Sequence, residues 1–513
     1  MSLTMTQTEK GHSTSASQPK RTALSMDSTS SPESSPDHPL SQAQAITAVI
    51  ALTGVSFLNT MGSGILTVAL PRMAEDLHLN HEILLWPAAV YALAAGCTLL
   101  IFGSIADVIG DKRVWITGSI IFAILTLACG LAKTGSQLIA FRALLGIAIA
   151  MCLPCAVSLM TRTFPGGKKR NMGFAAIGMG QPLGYSVGLI LGGVFADSIG
   201  WRWGYYISAI INAFLSVLAF WSLPRESPRS ESLLKGLAGI DWVGASLISV
   251  SLALLSFVLA QITESYHNIG ETYIIVLLAI AIVLVPAFIA WVGWQERNGR
   301  PALIPNGLWK NTLFTATCII VFFTWAEFNA LQYFTSLYFQ EVQHRSALIS
   351  SVMFLPMVVV GVVTNIFTGY AVDKVRVGVL VFVSAIISTI SPLLMALVDP
   401  NWGYWRGPFM AMFLSPVHPD VLFTVSNLII SRAYPGQQQA LAGAVFNSVS
   451  QVGNSVGLAV GAAIAASVTD HSQDDLLRGY EAAYWLMFTA MLVVCVASFF
   501  GLRTGGYVGK KTD

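Results

Sequence analysis

GSIADVIGDKR, residues 103–113, and GYAVDKVR, residues 369–376, decide how this chain is organised. Each holds an aspartate four residues after a glycine (Gly103 and Asp107; Gly369 and Asp373), then basic residues (Lys112 and Arg113; Lys374 and Arg376). Each also separates two apolar runs. The chain is 54% hydrophobic and only 11% charged over 513 residues, with a mean hydropathy of +0.67, where a soluble domain carries roughly a quarter charged residues. About 20 apolar residues cross a hydrocarbon core of about 30 Å. Runs of that length begin near Ile46, Leu84, Val114, Leu138, Asn171, Trp203, Ile240, Thr272, Leu313, Ile349, Val377, Gly407, Ala440 and Ala482. Lipid offers backbone polar groups no partner, so such spans are helices. The expected fold class is an all-α polytopic membrane protein with fourteen transmembrane helices.

On that map both loops follow the second helix of a six-helix set. A different feature recurs at the fifth helix of each set. Gly180, Gly184, Gly188 and Gly192, joined by Gly193, match Gly453, Gly457 and Gly461. A glycine every four residues gives a helix one smooth face for close helix packing. Two unrelated features at equivalent positions divide the chain into parallel six-helix halves, 45–224 and 313–503, with a linker holding two inserted helices at 225–312. Residues 1–44, rich in Ser, Thr, Pro and Gln and without an apolar run, are expected to be a disordered cytoplasmic tail, with a short second tail at 504–513. Halves arranged this way hold a substrate between them near the midplane.

Charge placement sets the orientation. With a cytoplasmic N-terminus, 21 of the 28 Lys and Arg fall in tails and inward loops and 6 in outward loops, while Arg142 lies inside a span. That asymmetry predicts both termini on the cytoplasmic side. Twelve of the thirteen tryptophans fall at span ends or in loops, where amphipathic rings prefer to sit, and Trp325 is the exception. No cleavable signal peptide is visible, so the first span is expected to direct insertion. Cys152 and Cys155 are spaced C-x-x-C but lie on one apolar helix, which favours packing over redox chemistry.

With these features in place, the chain resembles the major facilitator superfamily. GSIADVIGDKR is similar to its loop-two signature G-x-L-A-D-R-x-G-R-K-R, with Val108 and Asp111 where that signature has basic residues. LIAFRALLGIAIA, residues 138–150, resembles the fourth-helix R-x-x-x-G of proton-coupled members through Arg142 and Gly146. GYSVGLILGG, residues 184–193, resembles the antiporter signature G-x-x-x-G-P-x-x-G-G, with Leu189 in place of its proline. The span count is similar to that of the fourteen-span drug:proton antiporter family. FLNTMGSGILTVALP (57–71) and GQPLGYSVGLILGGVFAD (180–197) look like fungal aminotriazole-resistance-type exporters. Many relatives there carry an aspartate nine residues before the proline that ends helix one; here the proline is Pro71 and that position is Gly62. The resemblance implies transport driven by a proton gradient, with no further cofactor, and implies that Arg142 senses or shifts nearby protonation.

The loop residues Gly103, Asp107, Gly110, Lys112, Arg113, Gly369, Asp373 and Arg376 form a candidate conformational latch. Carboxylates at helix ends bond to neighbouring helix N-termini and to arginines; helix capping is the alternative. Charges inside spans cost about 2.5 to 3.5 kcal/mol each at the centre and are candidates for function. Three are present, Arg142, Glu327 and Asp420, and they are the proton-coupling candidates, with Asp420 or Glu327 expected to carry the proton. Arg142 can instead be an anchor bonded to backbone carbonyls, and Glu327 can lie nearer the surface. Asp420 sits in FLSPVHPDVLF, residues 413–423, where Pro416 and Pro419 break or kink a helix and free carbonyls. It reads as a cavity carboxylate, with a solvated outer loop as the alternative. His418, two residues away, points roughly 200° from Asp420 on a regular helix, and joins the cavity only through a kink. Uncharged polar rows complete the candidate cavity: Asn59 and Ser63 on span one; Asn329 and Gln332 beside the aromatic Trp325 on span nine; Asn447, Gln451 and Asn454 on span thirteen. These rows serve equally well as interhelical hydrogen bonds.

The function expected is proton-coupled export of small organic molecules, drugs, toxins or metabolites, by alternating access. A nutrient facilitator or proton symporter of the same fold is the alternative. An enzyme is not expected, because the eight histidines are scattered and only His418 neighbours an acid inside a span. No G-x-x-x-x-G-K-[ST] loop is present for ATP-driven pumping. The expected partners are a small-molecule substrate and the lipid bilayer, with no nucleic acid, and the chain is expected to act as a monomer. The plasma membrane is the expected location, the vacuolar membrane the alternative.

Overall fold

The first and last helices start at side-chain caps. The computed structural model describes residues 41–79, 83–84, 86–164, 168–224, 237–264, 270–300, 302–304, 306–372, 374–433, 437–472 and 475–503. The two tails and Asp373 therefore lie outside the described residues, apart from 41–44, which are structured. Ser41 starts the first helix: its hydroxyl accepts from the backbone N–H of Gln44 while the Gln44 side chain accepts from Ser41 N, a capping box that replaces the expected start at Ile46. Asp475 caps the last helix through Leu477 N at 3.1 Å, so that helix opens six residues before Ala482.

Among the described residues fourteen helices are long and apolar enough to cross a membrane. They are α1 Gln42–Leu77, α2 Trp86–Ile109, α3 Asp111–Leu131, α4 Gly135–Met160, α5 Ala176–Asp197, α6 Arg202–Ser222 and α7 Trp242–Leu259. Then follow α8 Thr272–Arg297, α9 Thr312–Val342, α10 Ala347–Ala371, α11 Val377–Ala396, α12 Pro408–Asn427, α13 Gly443–His471 and α14 Leu476–Gly501. No strand occurs among the described residues.

The glycine rows pack as their spacing predicts, and in the same way in both halves. A Cβ at Gly184 would meet Phe57 O at 2.2 Å and one at Gly188 would meet Met61 O at 2.2 Å, so α5 lies backbone to backbone on α1. Gly180 is similarly close to Thr53, and Gly192 to Ile65. In the second half a Cβ at Gly453 would meet Phe322 O at 2.4 Å and one at Gly457 would meet Ala326 O at 2.1 Å, which seats α13 on α9. Gly461 continues the row against the Phe334 ring at 3.1 Å. Gly193 differs: its Cβ would sit 2.5 Å from Ser351 Oγ and 2.7 Å from Ala347 O, so it lets α5 touch α10 of the other half.

The inserted pair is fixed at a few points. Ser251 Oγ donates to Ala281 O at 2.7 Å between α7 and α8, and Ser249 Oγ donates to Cys97 O at 2.7 Å, tying α7 to α2. The Asp241 carboxylate accepts from Gly244 N, from the Trp291 indole at 2.9 Å and from Leu303 N, which gathers the linker at one point.

Hydrogen bonds between the halves gather at the end of the bundle opposite the two described termini. There Ser336 Oγ donates to Thr67 O at 3.0 Å, Gln340 Nε2 to Val68 O at 3.1 Å, and Leu348 N to Asp197 Oδ2 at 2.9 Å.

Candidate functional site

Helix α12 is broken where its prolines require it. One segment runs Pro408–Leu414 and the next starts at Val417. In a continuous helix Leu414 O would accept from His418 N. Instead the Ser388 hydroxyl of α11 enters the gap: it donates to Leu414 O at 2.9 Å and accepts from His418 N at 2.9 Å. Ser391 Oγ, one turn along α11, donates to Ala411 O at 2.8 Å. The break is thus satisfied by serines of the neighbouring helix, as membrane-depth irregularities must be.

That break turns Asp420 into a central cavity of about 170 Å³, an order of magnitude more than the space one water needs. The Asn365 side chain of α10 stands beside Asp420. Asn365 donates to Gly361 O at 3.0 Å and accepts from Thr424 Oγ1 at 3.4 Å, so its orientation is held. The cavity wall comes from α1, α2, α4 and α5 of the first half and α9, α10, α12 and α13 of the second, the equivalent four helices of each set.

Ten of the expected residues line this cavity: Asp420, Arg142, Asn59, Ser63, Trp325, Asn329, Gln332, Asn447, Gln451 and Asn454. Arg142 is 2% exposed; its Nε donates to Pro87 O at 3.0 Å and its guanidinium stacks 4.4 Å over the Tyr91 ring. Tyr91 in turn donates its hydroxyl to Asn59 Oδ1. Arg142 is therefore both the carbonyl-bound anchor and a cavity cation. Asn329 Nδ2 donates to Asn454 Oδ1 at 2.6 Å, and Asn454 Nδ2 to Gln451 Oε1 at 3.2 Å, one amide chain joining α9 to α13. Asn447 donates to Gly443 O within its own helix. Gln332 Nε2 is buried with no partner among the described residues, a donor left over in the wall.

Two expected residues are placed elsewhere. His418 is fully buried inside the second half, with Nδ1 3.0 Å from Ser384 Oγ and Nε2 3.1 Å from Thr324 Oγ1. The broken helix keeps His418 and Asp420 on opposite sides, so the kink does not bring both to the cavity. Glu327 is 2% exposed and outside the cavity wall. It lies three residues from Thr324, on the helix face of the His418 contact, and among the described residues no side chain pairs with it.

In the first loop the printed bonds belong to Asp111 and Lys112. Asp111, 4% exposed, accepts from Ser158 Oγ at 2.6 Å and pairs with Arg162 at 2.8 Å, tying α3 to the end of α4. Lys112 Nζ donates to Leu223 O at 2.7 Å, closing the end of α6. Gly110 has φ 112°, a left-handed turn that suits glycine. Gly103, Asp107 and Arg113 stand at the same end, as do Gly369 and Arg376 in the second loop, with Asp107, Arg113 and Arg376 exposed. These three bonds, Asp111 to Ser158 and Arg162 and Lys112 to Leu223, lie within the first half.

Several cavity residues were not expected: Tyr91, Gln181, Tyr185, Tyr333, Phe423 and Phe446. Gln181 and Tyr185 carried a usable signal. They flank the α5 glycine row as Gln451 and Asn454 flank the α13 row, and the repeat would have transferred the reading.

Comparison with known proteins agrees with this architecture. The profile of the Major Facilitator Superfamily matches residues 52–419, more than half of the chain. "MFS-type transporter 1" of Pyricularia oryzae is 51% identical over 525 residues, covering 92% of this chain and 85% of its own length. From Saccharomyces cerevisiae, the low affinity ammonium transporter is 25% identical, with 79% and 78% of the two chains covered, and the aminotriazole resistance protein is 26% identical, with 80% and 76% covered. Among solved structures, a bacterial homologue of the human lysosomal transporter Spinster, inward-facing and occupied, matches with a TM-score of 0.60 at 13% identity over 90% of this chain and 98% of that one. At that identity the likeness concerns the fold.

Proposed function

This chain belongs to the Major Facilitator Superfamily, and from that premise we propose that it is a proton-coupled exporter of small amphipathic organic molecules working by alternating access. The observation that carries the reading is the placement of Asp420, a carboxylate on a broken helix, in a cavity bounded by the same four helices of each half. Proton and substrate compete for that cavity. Asp420 takes a proton when the cavity faces outward and gives it up when the cavity faces inward, so the gradient drives substrate out. The amide chain of Asn329, Asn454 and Gln451 with the spare donor of Gln332 grips the polar part of the substrate, and Arg142 adds a positive charge to the same wall. Trp325 and Phe328, edge to face at 6.1 Å, offer a surface for flat rings.

With both termini cytoplasmic, as the loop charges favour, the hydrogen bonds between the halves close the outer side and the described state loads from the cytoplasm. One chain supplies the whole cavity, which fits action as a monomer, and the plasma membrane is the proposed location. The name of the aminotriazole resistance protein supports export, and that of the low affinity ammonium transporter supports the second reading, a small-solute facilitator or symporter.

The test uses cells lacking the protein, complemented with the native chain, Asp420→Asn or Glu327→Gln, and loaded with radiolabelled aminotriazole or a fluorescent azole. Export predicts lower retention with the native chain, loss of that effect in Asp420→Asn or after a protonophore, and little change in Glu327→Gln. Higher retention with the native chain would establish uptake, and full export by Asp420→Asn would remove the acid assignment.

A further inference from the structure

Helices α2 and α13 belong to opposite halves, and beside their seam lies a second cavity, of about 310 Å³, covered by α7 of the inserted pair. Its wall is apolar: Val90, Leu93 and Ala94 on α2, Phe257 on α7, and Leu458 and Ala459 on α13. Two hydroxyls border it, and both are spent on backbone carbonyls: Thr98 Oγ1 donates to Ala94 O at 2.7 Å and Ser455 Oγ to Ala89 O at 3.2 Å. A water needs about two to four polar partners to stay in a cavity, so this one does not hold water. Left empty, its lining would forfeit dispersion contacts over its whole surface.

The surroundings say what fills it. Phe257 on the rim is 44% exposed and Val250 on the same helix 48%, so α7 faces hydrocarbon there. Trp86, which opens α2, borders the cavity at the end where the membrane–water interface lies. We infer that the cavity is a lipid site, in which one acyl chain of a bilayer phospholipid lies between α2 and α13 under α7. The Ser249–Cys97 hydrogen bond at 2.7 Å holds α7 in place over it. Leu458 lines both this cavity and the transport cavity, so the chain lies one side chain away from the substrate. Because α2 and α13 belong to opposite halves, rocking of the halves reshapes the slot. The inserted pair, which lies outside the two sets of six, thereby encloses a lipid chain at the seam.

The test places the full-length protein in phosphatidylcholine liposomes containing a trace of phosphatidylcholine with a diazirine in its acyl chain. After irradiation, adducts are mapped by mass spectrometry. Adducts on Val90, Leu93 and Phe257 are expected to exceed severalfold those on Ile282 and Val283, which are 59% and 63% exposed on the lipid-facing side of α8. Val90→Trp or Ala253→Trp, each checked for a monodisperse fold, fills the slot or its rim and lowers slot adducts severalfold without changing those on α8. Slot adducts no denser than those on α8, or undiminished in both variants, would overturn the assignment. So would modification of Cys97, which lines the slot, by a charged membrane-impermeant thiol reagent, since that reports water. A slot covered by a second copy of the chain would leave its residues unlabelled, which also overturns it.

Discussion

The Asp420 carboxylate occupies the space a side chain on Gly361 would need: a Cβ there would stand 2.8 Å from Asp420 Oδ2. Gly361 is one turn before Asn365 on α10, which donates to Gly361 O at 3.0 Å and stands beside the carboxylate. Gly361→Ala therefore pushes the acid out of its place without removing any titratable group. Gradient-driven transport is expected to fall about tenfold, because overpacking of this kind costs about 1 to 3 kcal/mol. Export assays of Gly361→Ala beside Asn365→Ala check this. Native transport in Gly361→Ala would mean that the carboxylate position is not critical.

Ser388 should matter as much as the acid it supports. Its hydroxyl replaces the helix bond lost between Leu414 and His418, donating to one and accepting from the other. Ser388→Ala leaves a buried N–H and a buried carbonyl without partners, at a cost of about 1 to 3 kcal/mol. Both thermal stability and transport are expected to drop, whereas Ser388→Thr, which keeps the hydroxyl, retains most of each. Equal losses in the two variants would show that packing rather than hydrogen bonding holds the break.

The glycine rows predict a contrast between positions of one residue type. Gly188→Ala and Gly457→Ala drive a methyl into a backbone carbonyl, of Met61 and Ala326 respectively, and overpacking of this kind costs about 1 to 3 kcal/mol. A Cβ at Gly443, on the same helix as Gly457, meets nothing within 4 Å, so Gly443→Ala should be neutral or stabilising. Melting of the purified variants in detergent orders the three.

The repeat was legible because it is written in glycines and apolar run lengths, and these act locally. Ten cavity residues were legible because polar side chains at membrane depth have few places to go. Glu327 is buried as its span position implied, whereas His418 was misplaced because burial inside one half and exposure to the cavity look alike in sequence. What separates them is rotation about a helix, and around Pro416 no regular rotation exists. The loop was harder still. Asp111 looks like a departure from the family pattern, yet it is the residue that pairs with Arg162, a partner some fifty positions away that no local spacing reveals.

Closure at the end away from the termini rests on a helix cap supplied by the other half. Asp197 Oδ2, at the end of α5, accepts from Leu348 N in the first turn of α10, beside the Ser346 hydroxyl that accepts from Ile349 N. Removing a cap costs about 0.5 to 2 kcal/mol, and a cap that exists only in the closed state shifts the opening equilibrium by the whole of that amount, roughly 2- to 30-fold. Asp197→Ala should therefore expose the transport cavity to that side. The readout is the labelling rate of a cysteine at Ser63, in a background without other cysteines, by an impermeant maleimide added from the side of Asp197. Labelling is expected to accelerate within that range for Asp197→Ala and less for Asp197→Asn, whose amide oxygen still accepts. Gly193→Ala, which forces a methyl against Ser351 and Ala347 at the same seam, should accelerate it too. Unchanged labelling in both Asp197→Ala and Gly193→Ala would show that the Ser336–Thr67, Gln340–Val68 and Ser455–Ala89 bonds suffice to hold the seam.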